Sequence, residues 1–271
     1  MRKRLMLLIS LFIVSLVSFS SATYAWFSEQ LHPEVGSLIF NVATQENIMI
    51  STSGNKGTFK DVINFEELYS NDITLKPLKG IVEENSISLV NDGGFAVNQN
   101  GNYIKFSLYF SSSTNMDVYL NGSDSGTVID IVRNNTSIFD DSDINKIVDC
   151  VRIGFLIYST NEVPNSSGGF DIVYDPLETL VYSDNVKDIT SYKNSNKTYD
   201  TFTKADIGFE NDPSRDIVLF STEANNVYKM DVFIWIESED VNCDVSVFDA
   251  RLQINLRFFG NQISEGGASE E

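Results

Sequence analysis

The sequence predicts an all-β protein, an antiparallel β-sandwich with jelly-roll-like topology and a long loop-rich insertion. Apolar and polar side chains alternate with a period of two residues at 103–110, 230–237 and 250–259, which is typical of half-buried antiparallel strands. Turns rich in glycine and asparagine separate many short strands, and helical patterns are few. An immunoglobulin-like strand arrangement fits the same pattern and stays open beside the jelly roll.

The chain begins with the residue order of an export signal. Three basic residues precede the apolar run 5–17, and a small, polar segment then ends at Ala25. The run is shorter than the ~20 residues that a membrane span needs. We therefore expect residues 1–25 to be a signal peptide, cleaved between Ala25 and Trp26, and the protein to be secreted or held at the cell surface. An uncleaved anchor that tethers the protein to the membrane is the alternative.

Residues 26–259 are expected to form the β-sandwich domain. Beyond the three clearest strands, the alternation predicts strands at 38–43, 48–50, 80–90, 118–120, 127–132, 151–157 and 216–220. A helical turn is expected at 61–69, and a short helix capped by Ser142 is expected to end at Val148 with Cys150 at its exit.

Between residues 159 and 214 the strand pattern weakens. Glycine, proline, asparagine and aspartate are frequent there, and the best strand is a short one at 177–182. This stretch has no apolar core of its own, so we expect a loop-rich insertion on the sandwich. The final residues, 260–271, are polar and are expected to be disordered.

The charge of the chain restricts its partners. Without residues 1–25 the chain keeps 16 basic and 38 acidic residues, a net charge of −22. Such a surface repels nucleic acids and anionic membranes. Asp140, Asp141 and Asp143 form the densest acidic group and are a weak calcium candidate, since calcium takes six to eight oxygen ligands. A solvated turn that caps the helix is the favoured explanation of them, and no other cofactor is expected.

Cys150 and Cys243 are the two cysteines, and the pattern leaves their state open. A disulfide between them would close a loop of 93 residues, which the chain-entropy model equates with roughly 4–5 kcal/mol of stability. Two buried free thiols are the alternative. Two cysteines and a single histidine are too few for the usual zinc site.

The sequence contains no nucleophile, zinc or nucleotide motif, so no catalytic residue is predicted. Its one histidine, His32, lies in a polar link beside Pro33. A hydrolase with paired carboxylates is a weaker alternative, because 38 acidic residues offer many pairs of unknown separation. Tyr103, Tyr109 and Tyr119 are candidate sugar-binding side chains if they project from one sheet face.

Residues 22–28 (ATYAWFS) resemble the processing region of the TasA and camelysin group, exported proteins of Gram-positive bacteria with a SipW-type signal peptide. Residues 35–43 are similar to the first strand of that group, and 103–120 and 235–243 are similar to segments of other exported proteins with this signal type. The resemblance is partial. It implies a jelly-roll subunit of biofilm-matrix fibres whose mature N-terminal strand is lent to a neighbouring subunit, here through Trp26, Phe27, Leu38, Phe40 and Val42.

These observations together predict an exported structural protein of the cell surface or extracellular matrix. Its expected partners are further copies of itself or other matrix and cell-surface proteins. The alternative is an extracellular module that binds carbohydrate or cell wall, with glycans as partners, through exposed tyrosines or the 159–214 stretch.

Overall fold

The computed structural model describes residues 37–45, 48–55, 57–64, 75–91, 93–99, 102–121, 127–131, 141–184, 200–203, 217–240, 243 and 251–263. The predicted signal peptide, its cleavage point and residues 264–271 of the predicted disordered tail lie outside these ranges. Within them, no helix has both the length and the apolar character needed to cross a membrane.

Fourteen strands and one helix make up the regular structure of the described residues. The strands are β1 Ser37–Gln45, β2 Ile48–Ser51, β3 Val62–Asn64, β4 Pro77–Glu83, β5 Ser86–Val90, β6 Ile104–Ser112, β7 Met116–Asn121, β8 Ile129–Ile131, β9 Val151–Pro164, β10 Phe170–Ser183, β11 Asp200–Thr203, β12 Val218–Thr222, β13 Val227–Glu237 and β14 Arg251–Gln262. The helix, α1, is Asp141–Cys150.

The strands form two sheets that pack face to face, so the predicted all-β sandwich is confirmed. The first sheet has the order β12-β7-β14-β1-β3, with β8 also paired to β14. The second has the order β11-β10-β9-β13-β4-β5, and β6 pairs with both β13 and β2. Most neighbours are antiparallel, as predicted, but β1–β14, β4–β13 and β10–β11 are parallel. The finer jelly-roll topology stays a prediction.

The main core lies between the two sheets and is built by the alternating side chains. On β6, Ile104, Phe106, Leu108 and Phe110 are buried, and the residues that alternate with them are partly exposed. Phe110 of the second sheet meets Phe258 of the first edge to face, with ring centroids 5.0 Å apart. The two-residue period therefore identified correctly which faces of these strands meet in the interior.

A smaller core covers the opposite face of the second sheet. Leu78, Val82, Ile87 and Leu89 of the β4–β5 hairpin pack there against Phe233, Trp235 and their neighbours. Because β13 is covered on both faces, its buried stretch reads as a nearly continuous apolar run.

In two places the chain differs from the expectation. The structure describes residues 61–64 of the helical turn predicted at 61–69. The prediction is wrong for this part, because Val62–Asn64 is a strand paired to β1. The long stretch predicted to be loop-rich is an antiparallel hairpin over its first half. In it, β9 pairs with β10 from Arg152 opposite Ser183 to Pro164 opposite Phe170, with a shift of register between Pro176 and Glu178. The outer half of this hairpin exposes apolar side chains such as Phe170, 65 % accessible, so no buried alternation marked it as a strand.

The close packing of the smaller core gives a direct stability test at Gly154 of β9. A Cβ at this position would lie 2.6 Å from Ile87 Cδ1 and 3.1 Å from the Trp235 ring. We expect Gly154→Ala to lower the free energy of unfolding by about 1–3 kcal/mol, because overpacking forces neighbouring side chains to shift. Gly169→Ala is the matched control, since its nearest neighbours lie 3.5 Å away. Urea denaturation of both variants measures the difference, and equal stabilities would contradict this account.

Candidate functional site

The first strand occupies a slot between the last strand and β3. β1 pairs in parallel with β14 along its whole length. Ser37 lies opposite Arg251 at one end of this ladder, and Gln45 lies opposite Phe259 at the other. On its other edge it pairs antiparallel with β3 over three residues. Val42 points into the main core and is 1 % exposed. The first sheet is thus completed by a strand from the opposite end of the described chain.

The connection from this slot to the rest of the chain is short. β1 belongs to the first sheet and β2 to the second, and only residues 46 and 47 join them. Of the predicted assembly residues, Leu38 and Phe40 lie on β1 with Val42. Ala25, Trp26 and Phe27 lie outside the described residues. The structure therefore places three of these residues on one paired strand.

A second candidate site is a polar cleft at the base of the β9–β10 hairpin. It has a volume of about 480 Å³ and lies between the hairpin and the ends of β7, β12 and β14. Amide, hydroxyl and carboxylate groups line it together with aliphatic side chains, among them Asn115, Ser159, Asn161, Leu177, Glu223 and Asn226. This mixture of donors, acceptors and apolar surface is suited to a neutral polar ligand.

The hairpin itself projects beyond its neighbours. In the described part of the chain, β13 pairs with β9 only as far as Ser159, and β11 pairs with β10 only at Leu180–Ser183. The outer half is therefore a two-stranded ribbon. Phe170, Ile172 and Tyr174 lie on one face of it, with Ile172 59 % accessible.

Two aromatic side chains lie close together at the base of this ribbon, where β9 begins to pair with β13. The Lys229 ammonium group lies 5.1 Å from the Tyr158 ring centroid and 4.9 Å from that of Tyr174. The Lys229 ammonium group forms an ion pair with Asp231 Oδ1 at 2.9 Å. Burial and a hydrogen bond with Tyr174 raise the pKa of Tyr109 to about 12. The phenol of Tyr109 is therefore neutral at physiological pH.

The predicted set of tyrosines does not share one sheet face. Tyr109 belongs to β6 of the second sheet, and Tyr103, just before β6, packs against the smaller core. Tyr119 belongs to β7 of the first sheet and stacks on Phe259 at 5.0 Å. A common sugar-binding surface made of these three residues is therefore wrong, because the chain changes sheet between β6 and β7.

The two cysteines are free thiols, and Cys243 packs against the core that contains Cys150. Cys150 ends α1 and is fully buried, while Cys243 is partly exposed. Two causes raise the pKa of the Cys150 thiol well above its usual range. The larger is the hydrogen bond with Cys243, and the second is burial. The structure thus brings together two residues that are 93 positions apart in the sequence.

A buried ion pair lies next to the cysteines. Arg152 Nη2 donates to Asp240 Oδ2 at 2.5 Å, and both side chains are 1 % exposed. Arg152 also donates to the backbone carbonyl of Asp149. Sequence reasoning missed this pair, although an arginine inside the apolar start of β9 was a usable signal, since a buried cation needs a partner.

Among the described residues, no group of three or more histidine, cysteine, aspartate or glutamate side chains is placed to hold a metal ion. Of the calcium candidates, Asp140 lies outside the described ranges, and Asp141 and Asp143 belong to the first turn of α1. Calcium binding by these three residues stays a prediction.

Comparisons with protein-family models, with curated proteins and with solved structures find no match for this chain. The resemblance to the TasA and camelysin group therefore stays an expectation from the sequence. Function has to be argued from the residues of the chain itself.

The ion pair gives a test of which polar contacts hold the fold. We expect Asp240→Asn to lower the free energy of unfolding by about 3–5 kcal/mol, because it leaves the Arg152 guanidinium buried without a counter-charge. The matched control is Glu239→Gln one residue earlier, which breaks the Lys79–Glu239 pair, 43 % and 46 % exposed. An exposed pair contributes less than about 1 kcal/mol. Urea unfolding compares the two variants, and a similar small loss in both would refute the assignment.

Proposed function

We propose that this chain is an exported structural protein of the cell surface or extracellular matrix, which assembles with further copies of itself through strand β1. The observation that supports this proposal best is the position of β1. It is the first described strand, it is paired along its whole length to β14, and two residues connect it to the second sheet.

The physics of strand exchange favours such an element. The main-chain hydrogen bonds between β1 and β14 are the same whether β1 comes from the same chain or from a neighbour. Exchange of an identical element costs little beyond association, and a short connection between sheets favours it. If each subunit lends β1 to the next, the contact is head to tail and generates an open chain of subunits.

The composition supports the location. The chain keeps a net charge of −22 after its first 25 residues are removed, a charge that maintains solubility outside the cell and disfavours nucleic acid as a partner. The order of charge, apolar run and small residues before Trp26 supports export.

Exchange of β1 between subunits is testable by adding the β1 sequence as a separate peptide. We expect a chain that starts at Trp26 to form oligomers, and one that starts at Glu46, and so lacks β1, to stay monomeric. A synthetic peptide of residues 37–45 should bind the shortened chain, raise its melting temperature and block growth of the longer chain, since it fills the slot beside β14. Size-exclusion chromatography, electron microscopy and thermal melting provide the measurements.

The matched control is the same peptide with Val42→Asp, which places a charge in the core where Val42 is buried. It should neither bind nor block growth. If the chain that starts at Trp26 runs as a monomer at every concentration and the peptide leaves the shortened chain unchanged, assembly through β1 is refuted.

The polar cleft favours a second candidate function, the binding of a neutral extracellular glycan. Hydroxyl groups of sugars donate and accept hydrogen bonds, and the cleft offers amides and hydroxyls for both, with Leu177 and Ile263 as apolar surface. Its walls come partly from β9 and β10, within the 159–214 stretch that the sequence singled out for this role.

The glycan function makes its own prediction. Chito-oligosaccharides, cello-oligosaccharides and solubilised cell-wall glycan strands are tested by calorimetric titration against the protein. Removing Asn161 and Asn226 together, as Asn161→Ala with Asn226→Ala, should weaken binding about tenfold or more, since two amide groups of the cleft are lost. Asn98→Ala, an exposed amide outside the cleft, should leave binding unchanged. Absence of binding by the unmodified protein, or equal binding by the double variant, would exclude this function.

A further inference from the structure

The two cysteines are positioned by the β9–β13 ladder of the second sheet. β9 and β13 are antiparallel neighbours, and their ladder ends at the pair Val151–Ile236. Cys150, the last residue of α1, immediately precedes Val151 in the chain. On the other side, β13 ends at Glu237, and beyond it the Cys243 amide donates to the Asp240 carbonyl at 3.0 Å. Both cysteines therefore leave the same end of one ladder.

The buried ion pair holds these two segments together. Arg152 is two residues after Cys150, and Asp240 is three residues before Cys243. Their contact at 2.5 Å joins the start of β9 to the turn after β13, beside the cysteines. Because both side chains are 1 % exposed, solvent weakens this contact little. The approach of the two thiols is thus set by backbone pairing on one side and by charge pairing on the other.

The two thiols lie close together and differ in exposure. Cys150 belongs to the main core and is fully buried, and Cys243 packs against that core while staying partly exposed. The two side chains also interact electrostatically. Cys243 is therefore the residue that a reagent in solution reaches first.

We propose that Cys150 and Cys243 are the site of an intramolecular disulfide, formed when the folded chain meets a small-molecule disulfide or a thiol–disulfide oxidoreductase. The proposal depends on export only for the compartment in which such an oxidant occurs, since disulfides persist in oxidising surroundings. It does not depend on assembly through β1 or on glycan binding.

The reaction proceeds by two thiol–disulfide exchanges. The Cys243 thiolate attacks one sulfur of the external disulfide RS–SR, which forms a Cys243–SR mixed disulfide and releases RS⁻. The Cys150 thiolate then attacks Sγ of Cys243 and expels the second RS⁻. The two cysteines lose two electrons and two protons in total. The external disulfide gains both electrons, and its two thiolates take up the protons as RSH.

The environment assigns an order to these steps. Cys150 is fully buried and Cys243 is partly exposed, so the external disulfide reaches Cys243 first. The mixed disulfide removes the Cys243 thiol and with it the interaction that most raises the pKa of Cys150. Cys150 then gives its proton to the released RS⁻ and, as the neighbouring thiolate, resolves the mixed disulfide.

The experiment is native oxidation of the purified full-length chain by oxidised glutathione, followed by alkylation of the remaining thiols and intact-mass analysis. We expect both thiols to be lost without retained glutathione, and one cross-linked peptide to contain both cysteines. The oxidised protein should melt roughly 10 °C above the reduced protein, because the bond closes a long loop in the unfolded chain. Dithiothreitol should reverse both changes.

Single variants show whether the two residues have the assigned roles. Cys150→Ala should accumulate a stable mixed disulfide at Cys243, because the resolving thiol is gone. Cys243→Ala should leave Cys150 unreactive in the folded state and reactive only after unfolding in urea. Far-ultraviolet circular dichroism and the melting temperature of the double alanine variant check that the fold survives without either thiol.

Two results would overturn the proposal. One is stable glutathione on the unmodified protein at Cys243 with Cys150 still free, which would show that the sulfurs do not reach bonding geometry. The other is absence of any reaction in the folded protein together with ready oxidation in urea, which would make both residues buried structural thiols. Because the reaction is carried out on purified protein, neither result bears on export or on assembly.

Discussion

The burial of β13 on both faces is the constraint on which the rest of the structure depends. Met230, Val232 and Ile234 belong to the core between the sheets, while Phe233 and Trp235 belong to the smaller core beneath the β4–β5 hairpin. Both edges of the strand are paired as well, with β9 on one side and with β6 and β4 on the other. A strand held on all four sides gives the segments at its ends a defined position. Its first residues border the polar cleft, and the turn after its last residue carries Asp240 and Cys243.

The parallel ladder between β1 and β14 is a second long-range constraint of a different kind. It joins the first and last strands of the described chain, so the ladder closes a loop that runs from Gln45 to Arg251. Local sequence contributes little to such a contact, since loop closure over this length has to be compensated by pairing and by burial of residues such as Val42. A strand at the start of the described chain that is held through main-chain contacts is also one that another copy can supply, which is why we place the proposed function there.

Three buried charged side chains, Arg152, Glu237 and Asp240, lie at one end of the β9–β13 ladder. Arg152 and Asp240 are buried with each other, and Glu237 accepts from the Trp235 indole at 3.1 Å and from the Gly80 amide at 3.1 Å. Charges in such surroundings are tolerated only when their partners are fixed. Because the partners come from β9, β4 and the end of β13, this polar group sets the relative position of three chain segments. The approach of Cys150 to Cys243 is one consequence.

The sequence by itself determined the fold class, since alternation at Ile104, Leu108 and Phe110 states which side of a strand is buried whatever the strand pairs with. It also indicated α1 and the strand that carries Leu38, Phe40 and Val42. Only the tertiary structure decided that β1 pairs with β14, that Val62–Asn64 is a strand and that Tyr109 and Tyr119 belong to different sheets. It alone brought Cys150 to Cys243 and Arg152 to Asp240. The physical reason is that periodicity reports the environment of each residue, whereas pairing depends on free-energy differences among distant segments that all have similar patterns.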